Sequence, residues 1–509
     1  MHTTVWILGD QLSPRWGEWL RERGLGPHNA RVLMIESAQR LRARPWHRHK
    51  LILVLSAMRH FAEALRAQGW AVDYRMAPSF TAGVRDHVRE YAPQRLLVMR
   101  PSTWQGAQFI AQRVPLLLNG TALEVLPNRM FLARPEDLGS ARSPLLETFY
   151  RRMRRRTGFL MDGERPVGGR WNYDADNRLP PRKTWREGKT HDIPPIPRFA
   201  PDAITQAVIA EVARIETAWG ALDGFALPVT RADALRFFED FVAHRLPNFG
   251  PFEDAMVSGQ PFLFHAVVSP LINLGLLERD ELCMAAERAW REGRAPINSV
   301  EGFIRQLIGW REFIYAIYWR EMPRLRAMNA LNAHHPLPHF YWDAQTDMAC
   351  LRESVQGVWD RGYTHHIQRL MVLSNFAMLA GVQPQALNEW FLSVYVDAYD
   401  WVVTPNVIGM GTFADGGIVG TKPYAASANY INKMSTYCVR CRYRPDKRVG
   451  EDACPFNALY WDFVARHAAY LAANPRTAMP VRALQQMPEA EVRALRRQAE
   501  QWIQRLVLT

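Results

Sequence analysis

The chain has 509 residues, 48% of them apolar, which excludes a disordered or fibrous protein and suffices for two or three domains with cores of their own. Five cysteines are far too few for a disulfide scaffold, and their odd number fits a reducing compartment. Lys and Arg outnumber Asp and Glu by 63 to 50, a formal charge of +13 that marks either a polyanionic partner, nucleic acid first, or merely an arginine-rich composition.

At the N-terminus, MHTTVWILGDQL has no basic leader region, and no apolar run nears the length of a membrane span, so the expectation is a soluble, cytoplasmic protein that meets no membrane. Short apolar runs at Val5–Leu8, Val32–Ile35, Val72–Arg75, Leu96–Met99 and Leu123–Leu126 read as strands. Between them, Leu51–Ala67 and Val84–Tyr91 carry helical periodicity, which makes residues 1–133 an α/β domain built on a parallel sheet. No GxGxxG follows the first strand, so a dinucleotide fingerprint is absent. Ligands of such sheets sit at the carboxyl ends of strands, here Gly9-Asp10-Gln11-Leu12 and Glu36-Ser37.

Residues 134–200 read as a long connector, rich in Arg and Pro. Its run Arg151-Arg152-Met153-Arg154-Arg155-Arg156 is either a solvated helical face or a phosphate-contacting patch. Residues 201–509 read as all-helical, with apolar 3.6-residue spacing over Ala232–His244, Asp280–Arg291, Val300–Arg320, His366–Ala380 and Pro384–Ala398. No fixed-period repeat is present.

Near the C-terminus, Cys438-Val-Arg-Cys441 is a CxxC, Cys454 precedes Pro455, and Cys350 lies far upstream. Four thiolates suit tetrahedral zinc or a 4Fe-4S cluster; the single CxxC and the Cys-Pro ending favour the cluster. Cys283 lies on an amphipathic stretch and reads as a small buried hydrophobe.

Several blocks resemble the photolyase and cryptochrome flavoproteins: Phe303 to Phe313, with Gln306 and Trp310-Arg311; Val268 to Gly275; Gly362 to Arg369, with His365-His366; and Asp397-Ala-Tyr-Asp400 through Asn406. With Cys350 and the CxxC, the chain is similar to the bacterial iron–sulfur branch, which includes the prokaryotic (6-4) photolyases. That resemblance implies a Rossmann-like α/β antenna domain, an all-α domain burying a U-shaped FAD, and a 6,7-dimethyl-8-ribityllumazine antenna. It further implies light-driven repair of (6-4) photoproducts in UV-damaged DNA by a monomer, or a cryptochrome-type photoreceptor with the same cofactors.

Repair of this kind needs an electron delivered to a base taken out of the stack, at the floor of a basic cavity. Asp397, Asp400 and Asn406 are placed to hold the flavin, as are His265, Ser269 and Arg311; the plain alternative for the first three is helix capping. His366, beside His365, is the expected proton donor, since imidazole titrates near neutral pH; Tyr424 is expected in the same cavity and Lys422 on a phosphate, with Arg154 a further DNA contact. Trp310 stacks on a flipped base or packs in the core, and Gln306 stands near where cyclobutane-dimer relatives use glutamate. Trp390 and Trp342 resemble steps of a photoreduction chain, while Phe391 stands where relatives often have tyrosine and is hard to oxidise. Asp10, Gln11 and Glu36 are either antenna contacts or helix-capping loop residues.

Overall fold

The structure, a computed structural model, describes residues 2–507. Five strands, β1 (Thr3–Trp6), β2 (Ala30–Ser37), β3 (Ala71–Ala77), β4 (Arg95–Met99) and β5 (Ala122–Leu126), form a parallel sheet in the order β3-β2-β1-β4-β5. All five expected strands are present, although β1 begins and ends two residues early. Strand alternation sorts the apolar side chains into two cores. Trp6, Leu33, Ile35, Leu96 and Val98 point to one face and pack with Val84, Val88 and Ile110. Val5, Ile7, Val32, Met34, Leu97 and Met99 point to the other and join a core continuous with the helical region. Under the first face, buried His87 bridges Thr4 of β1 (2.9 Å) and Asp73 of β3 (2.6 Å), fixing helix Phe80–Tyr91 across two strands.

The sheet and the helical region are joined by hydrogen bonds as well as by packing. Lys50, on helix Arg48–Ala67, donates to the carbonyls of Leu392 (2.9 Å) and Ala398 (2.6 Å), and Glu312 accepts from the backbone of Leu132 and Ala133. The connector is more structured than its composition implies. It contains helix Leu146–Thr157, packed on the segment around Arg305–Trp310, and a short hairpin, Met161–Asp162 with Arg165–Pro166. Arg151, Arg152, Arg155 and Arg156 lie on the exposed face of that helix. Arg154 is 0% exposed and donates to the carbonyls of Phe159, Leu160 and Trp171. The expected DNA contact at Arg154 is therefore overturned: amphipathic phase turns this arginine inward, where it satisfies backbone carbonyls.

Beyond the connector every long element is helical, and among the described residues no helix is long and apolar enough to cross a membrane. Four helices widen into π turns, at Phe241–Arg245, Arg305–Trp310, Gln368–Ser374 and Pro405–Gly411. Such turns are rare and concentrate at functional sites. Three of them carry motifs singled out from the sequence: Gln306-Trp310, the segment after His365-His366, and Asn406.

Candidate active site

The helix after Gly362 begins at His366, so His365 precedes it instead of sharing its face. The His365 backbone N–H donates to Gln368 Oε1 (3.1 Å), a side-chain cap at the helix start. The His365 ring stacks on His265 at 4.5 Å, 12° from parallel. His265 hangs from a loop in which Leu263 and Val267 adopt positive φ (44° and 57°), strained for a β-branched residue, and Arg245 holds the His265 carbonyl at 2.9 Å. His265 Nε2 and His365 Nδ1 are buried without partners, so this pocket offers polar atoms awaiting a ligand.

Burial drives the pKa of His265 down to about 3, with His366 and Arg245 adding repulsion; it lowers His365 strongly, helped by the charges of His265 and His366. His366 has an exposed side chain, yet protein surrounds it closely enough to depress its pKa to about 4, with Arg369 assisting. Surface that is accessible while enclosed belongs to a cavity wall. Arg369, which sequence reasoning left without a role, pairs with Asp397 (3.0 Å) and lies 4.0 Å over the Tyr395 ring. Asp397 stands in the loop between helices Pro384–Val394 and Asp400–Thr404, where Ser269 donates to its carboxylate (2.7 Å) and Asn273 to its carbonyl (2.9 Å). Asn406 is half-buried in its π turn and donates to Val402 (2.7 Å). Thus His265, Ser269, Asp397, His365 and His366 converge.

Asp400 and Arg311 do not join them. Asp400 is engaged by Tyr318, Thr404 (2.8 Å) and Arg326 (2.6 Å). Arg311 donates to Met130 (3.2 Å), pairs with Glu312 (3.1 Å) and stacks on Phe131 at 4.1 Å, at the seam with the sheet domain.

Tyr424 is half-buried in the segment whose Ala426 exchanges hydrogen bonds with Asn375, on the helix of His366. Burial raises its pKa, and that of Tyr430, which the sequence reading missed; both sense the charges of Asp254 and Arg178. Nearby, burial pushes Asp254 up to about 6 and Glu253 up to about 8. Lys422 is half-exposed, and Arg476, joined to Thr421, adds a cation to the same rim. Gln306 donates back to Gly302 (3.2 Å), and Trp310 is half-buried with its edge on Phe313.

At the strand ends, Asp10 lies beside Ser102 and Arg40 with its pKa raised by burial, and Gln11 spends its amide on Met99 and Arg100 while its Oε1 is buried without a partner. Glu36 is saturated by Arg59 (2.9 and 3.1 Å) and Tyr74. Trp390 is buried and donates to the Tyr341 carbonyl (2.9 Å); the next residue, Trp342, is half-buried.

Cys350 opens helix Ala349–Arg361, Cys438 lies in the turn Tyr437–Arg440, Cys441 follows it, and Cys454 caps helix Pro455–Arg466. The four thiols border one cavity with Met348, Tyr437 and Tyr443, and Cys350 feels the other three. Burial pushes Cys438 up to about 11 and raises Cys350 and Cys454 further. Among the described residues, no three His, Cys, Asp or Glu side chains converge on a single-ion position. Cys283 is 0% exposed in the apolar core, as expected.

A family model described as deoxyribodipyrimidine photo-lyase-related protein matches residues 5–227. The (6-4) photolyase of Agrobacterium fabrum is 43% identical over 523 aligned residues, covering 99% of this chain and 100% of that protein. The chain belongs to the photolyase family. Its fold is that of photolyases and cryptochromes. A bacterial class III photolyase from Agrobacterium tumefaciens superposes with a TM-score of 0.56 at 15% identity, covering 99% of this chain and 98% of its own. A Synechocystis cryptochrome gives 0.58 at 15% identity, covering 98% and 93%. Membership implies FAD as cofactor. The partnerless nitrogens of His265 and His365, the Arg369–Asp397 pair and the enclosed His366 fit a large, polar, anionic ligand.

Proposed function

We propose that this photolyase restores (6-4) pyrimidine photoproducts in UV-damaged DNA by light-driven electron transfer, with His366 as proton donor. The observation that carries the proposal is the cluster in which His366 lies near the stacked His265–His365 pair and Arg369–Asp397, in a chain 43% identical over 99% of its length to a (6-4) photolyase. Reduced FAD, when bound, supplies the electron on illumination.

The chain's own residues account for the other steps. Asp397, fixed by Ser269 and Asn273, holds Arg369 as a positive wall against a negatively charged ligand. His366 is neutral in the free protein, and negative charge arriving in the cavity raises its pKa, so that an imidazole N–H becomes available to a departing hydroxyl. Tyr424 and Tyr430 keep their phenolic protons and act as donors, while Lys422 and Arg476 meet the phosphate backbone.

Cys350, Cys438, Cys441 and Cys454 are proposed to hold a 4Fe-4S cluster, supported by a shared cavity bordered by four sulfurs. It would tie helix Ala349–Arg361 to the C-terminal segment as a structural clamp. Asp10 and the free Gln11 Oε1, near Arg40, are proposed to hold the lumazine antenna.

The deciding experiment illuminates the reduced holoprotein with an oligonucleotide containing one (6-4) lesion. Restored bases support repair. Bound flavin with no restoration would leave the photoreceptor reading instead, which the likeness to a cryptochrome fold accommodates.

A further inference from the structure

Three segments enclose a cavity of about 790 Å³ that is lined by none of the residues assigned above to flavin, antenna, lesion or cluster. They are the start of the connector at 139–142, the end of helix Arg311–Glu321 with the turns that follow it, and the loop 414–418. The size is that of a small-ligand site, roughly 300–1,000 Å³. Arg320 ties the wall together: its Nη atoms donate to the carbonyls of Ala141 and Arg142 (2.9 Å each) and its Nε to Glu321 (2.8 Å). The Ala330 N–H joins the second segment to the Ala414 carbonyl of the third (2.9 Å).

The groups that border this space differ between its exposed and buried ends. At the exposed end, Arg142 has no carboxylate partner among the described residues. Arg324 spends Nε and Nη2 on Glu321 (2.8 and 2.5 Å) and keeps Nη1. At the buried end, Glu321 and Asp415 are 2% and 4% exposed. Asp415 accepts from the N–H groups of Gly417 (2.9 Å) and Val419 (2.8 Å), and a carboxylate has about four acceptor positions, so it retains capacity for a further donor. Tyr470, 44% exposed, stands at the edge with its hydroxyl on the Gly416 carbonyl (3.5 Å), where it senses Asp415 and Arg142. The loop 414–418 runs on through Thr421, held by Asn474 (2.8 Å) and Arg476, to Lys422 and Tyr424.

We propose that this cavity binds a nucleotide whose base carries an amino group, with Arg142 and Arg324 on its phosphate, Tyr470 on its base and Asp415 on the amino group. Guanidinium groups suit phosphate, an open aromatic ring suits a base, and a buried carboxylate selects an N–H donor. Thymine offers one imino N–H flanked by two carbonyl oxygens that the carboxylate repels, so it is discriminated against. The nucleotide has two sources, a free nucleoside phosphate or the strand opposite an extruded lesion. Extrusion leaves the opposite bases unpaired, and opposite two thymines these are adenines, which carry the amino group. The second source rests on the repair function above.

The test uses flavin-loaded protein in the dark. Adenosine and thymidine monophosphates are titrated by calorimetry, and so are duplexes with one (6-4) lesion of two thymines, bearing adenines or abasic sites opposite it. Arg142 and Tyr470 both reach solvent, so Arg142→Ala and Tyr470→Ala should keep the wild-type Tm. A free-nucleotide site binds adenosine monophosphate about tenfold or more tighter than thymidine monophosphate and loses that binding in both variants. A site for the opposite strand shows Tyr470→Ala weakening the adenine duplex about tenfold while leaving the abasic duplex unchanged. Adenosine monophosphate and adenine-duplex binding both indifferent to Tyr470→Ala, or two monophosphates bound equally well, would overturn the proposal. A lesion that wild type does not restore on illumination would end the repair reading and leave the monophosphate arm standing.

Discussion

The rings of His265 and His365 lie parallel at 4.5 Å although one hangs from a strained loop and the other precedes a helix, and each keeps a nitrogen without a partner. Two imidazoles so close cannot both be protonated, and burial already depresses His265 to about 3 and His366 to about 4.

Acid should therefore unfold the protein through these histidines. Their folded pKa values lie below the unfolded value near 6.5, so below that pH the unfolded chain takes up protons that the folded chain refuses. Stability is complete above about pH 6.5 and falls towards about pH 4, by up to about 1.4 kcal/mol per pH unit for His265 and by less for His366, whose exposed side chain is screened by water. Urea midpoints should drop over that window, and less steeply in His265→Asn. Midpoints independent of pH there would contradict the assignment.

Asp397→Asn should strip Arg369 of its partner. Because the pair is largely but not fully buried, the expected loss is about 2–3 kcal/mol, seen as a lower Tm together with poorer retention of flavin. An unchanged Tm and full flavin occupancy would show that Arg369 is held otherwise.

The five strands and most helices were legible because burial imposes a period of two or of 3.6 on the sequence. The π turns were not, because one extra residue in a turn leaves no compositional mark: Val300–Arg320 reads as one helix, yet Gln306 and Trp310 sit where it widens. Arg154 and Arg155 are indistinguishable in sequence; only the helix phase separates the buried carbonyl cap from the exposed cation. Arg369 lay within a quoted motif, but its role depends on Asp397 from another element.

Arg154→Ala and Lys422→Ala should separate stability from binding. The first removes a buried donor to three carbonyls and should cost about 2–4 kcal/mol of stability. The second should weaken damaged and undamaged DNA alike and reduce the salt dependence of binding by about one phosphate's worth. Impaired DNA binding by Arg154→Ala with normal stability would reverse these roles.

Cys438→Ser should abolish the broad visible absorption of an iron–sulfur cluster and lower Tm, whereas Cys283→Ala should leave the spectrum unchanged. Stoichiometric zinc with no iron or sulfide would replace the cluster by a single ion.

The central claim is tested most directly by single-turnover repair of a (6-4) lesion by chemically reduced, illuminated holoprotein, wild type against His366→Ala. The account predicts restored bases with wild type and a loss of about a hundredfold or more with the variant, with lesion binding retained. Repair by His366→Ala at the wild-type rate would contradict it.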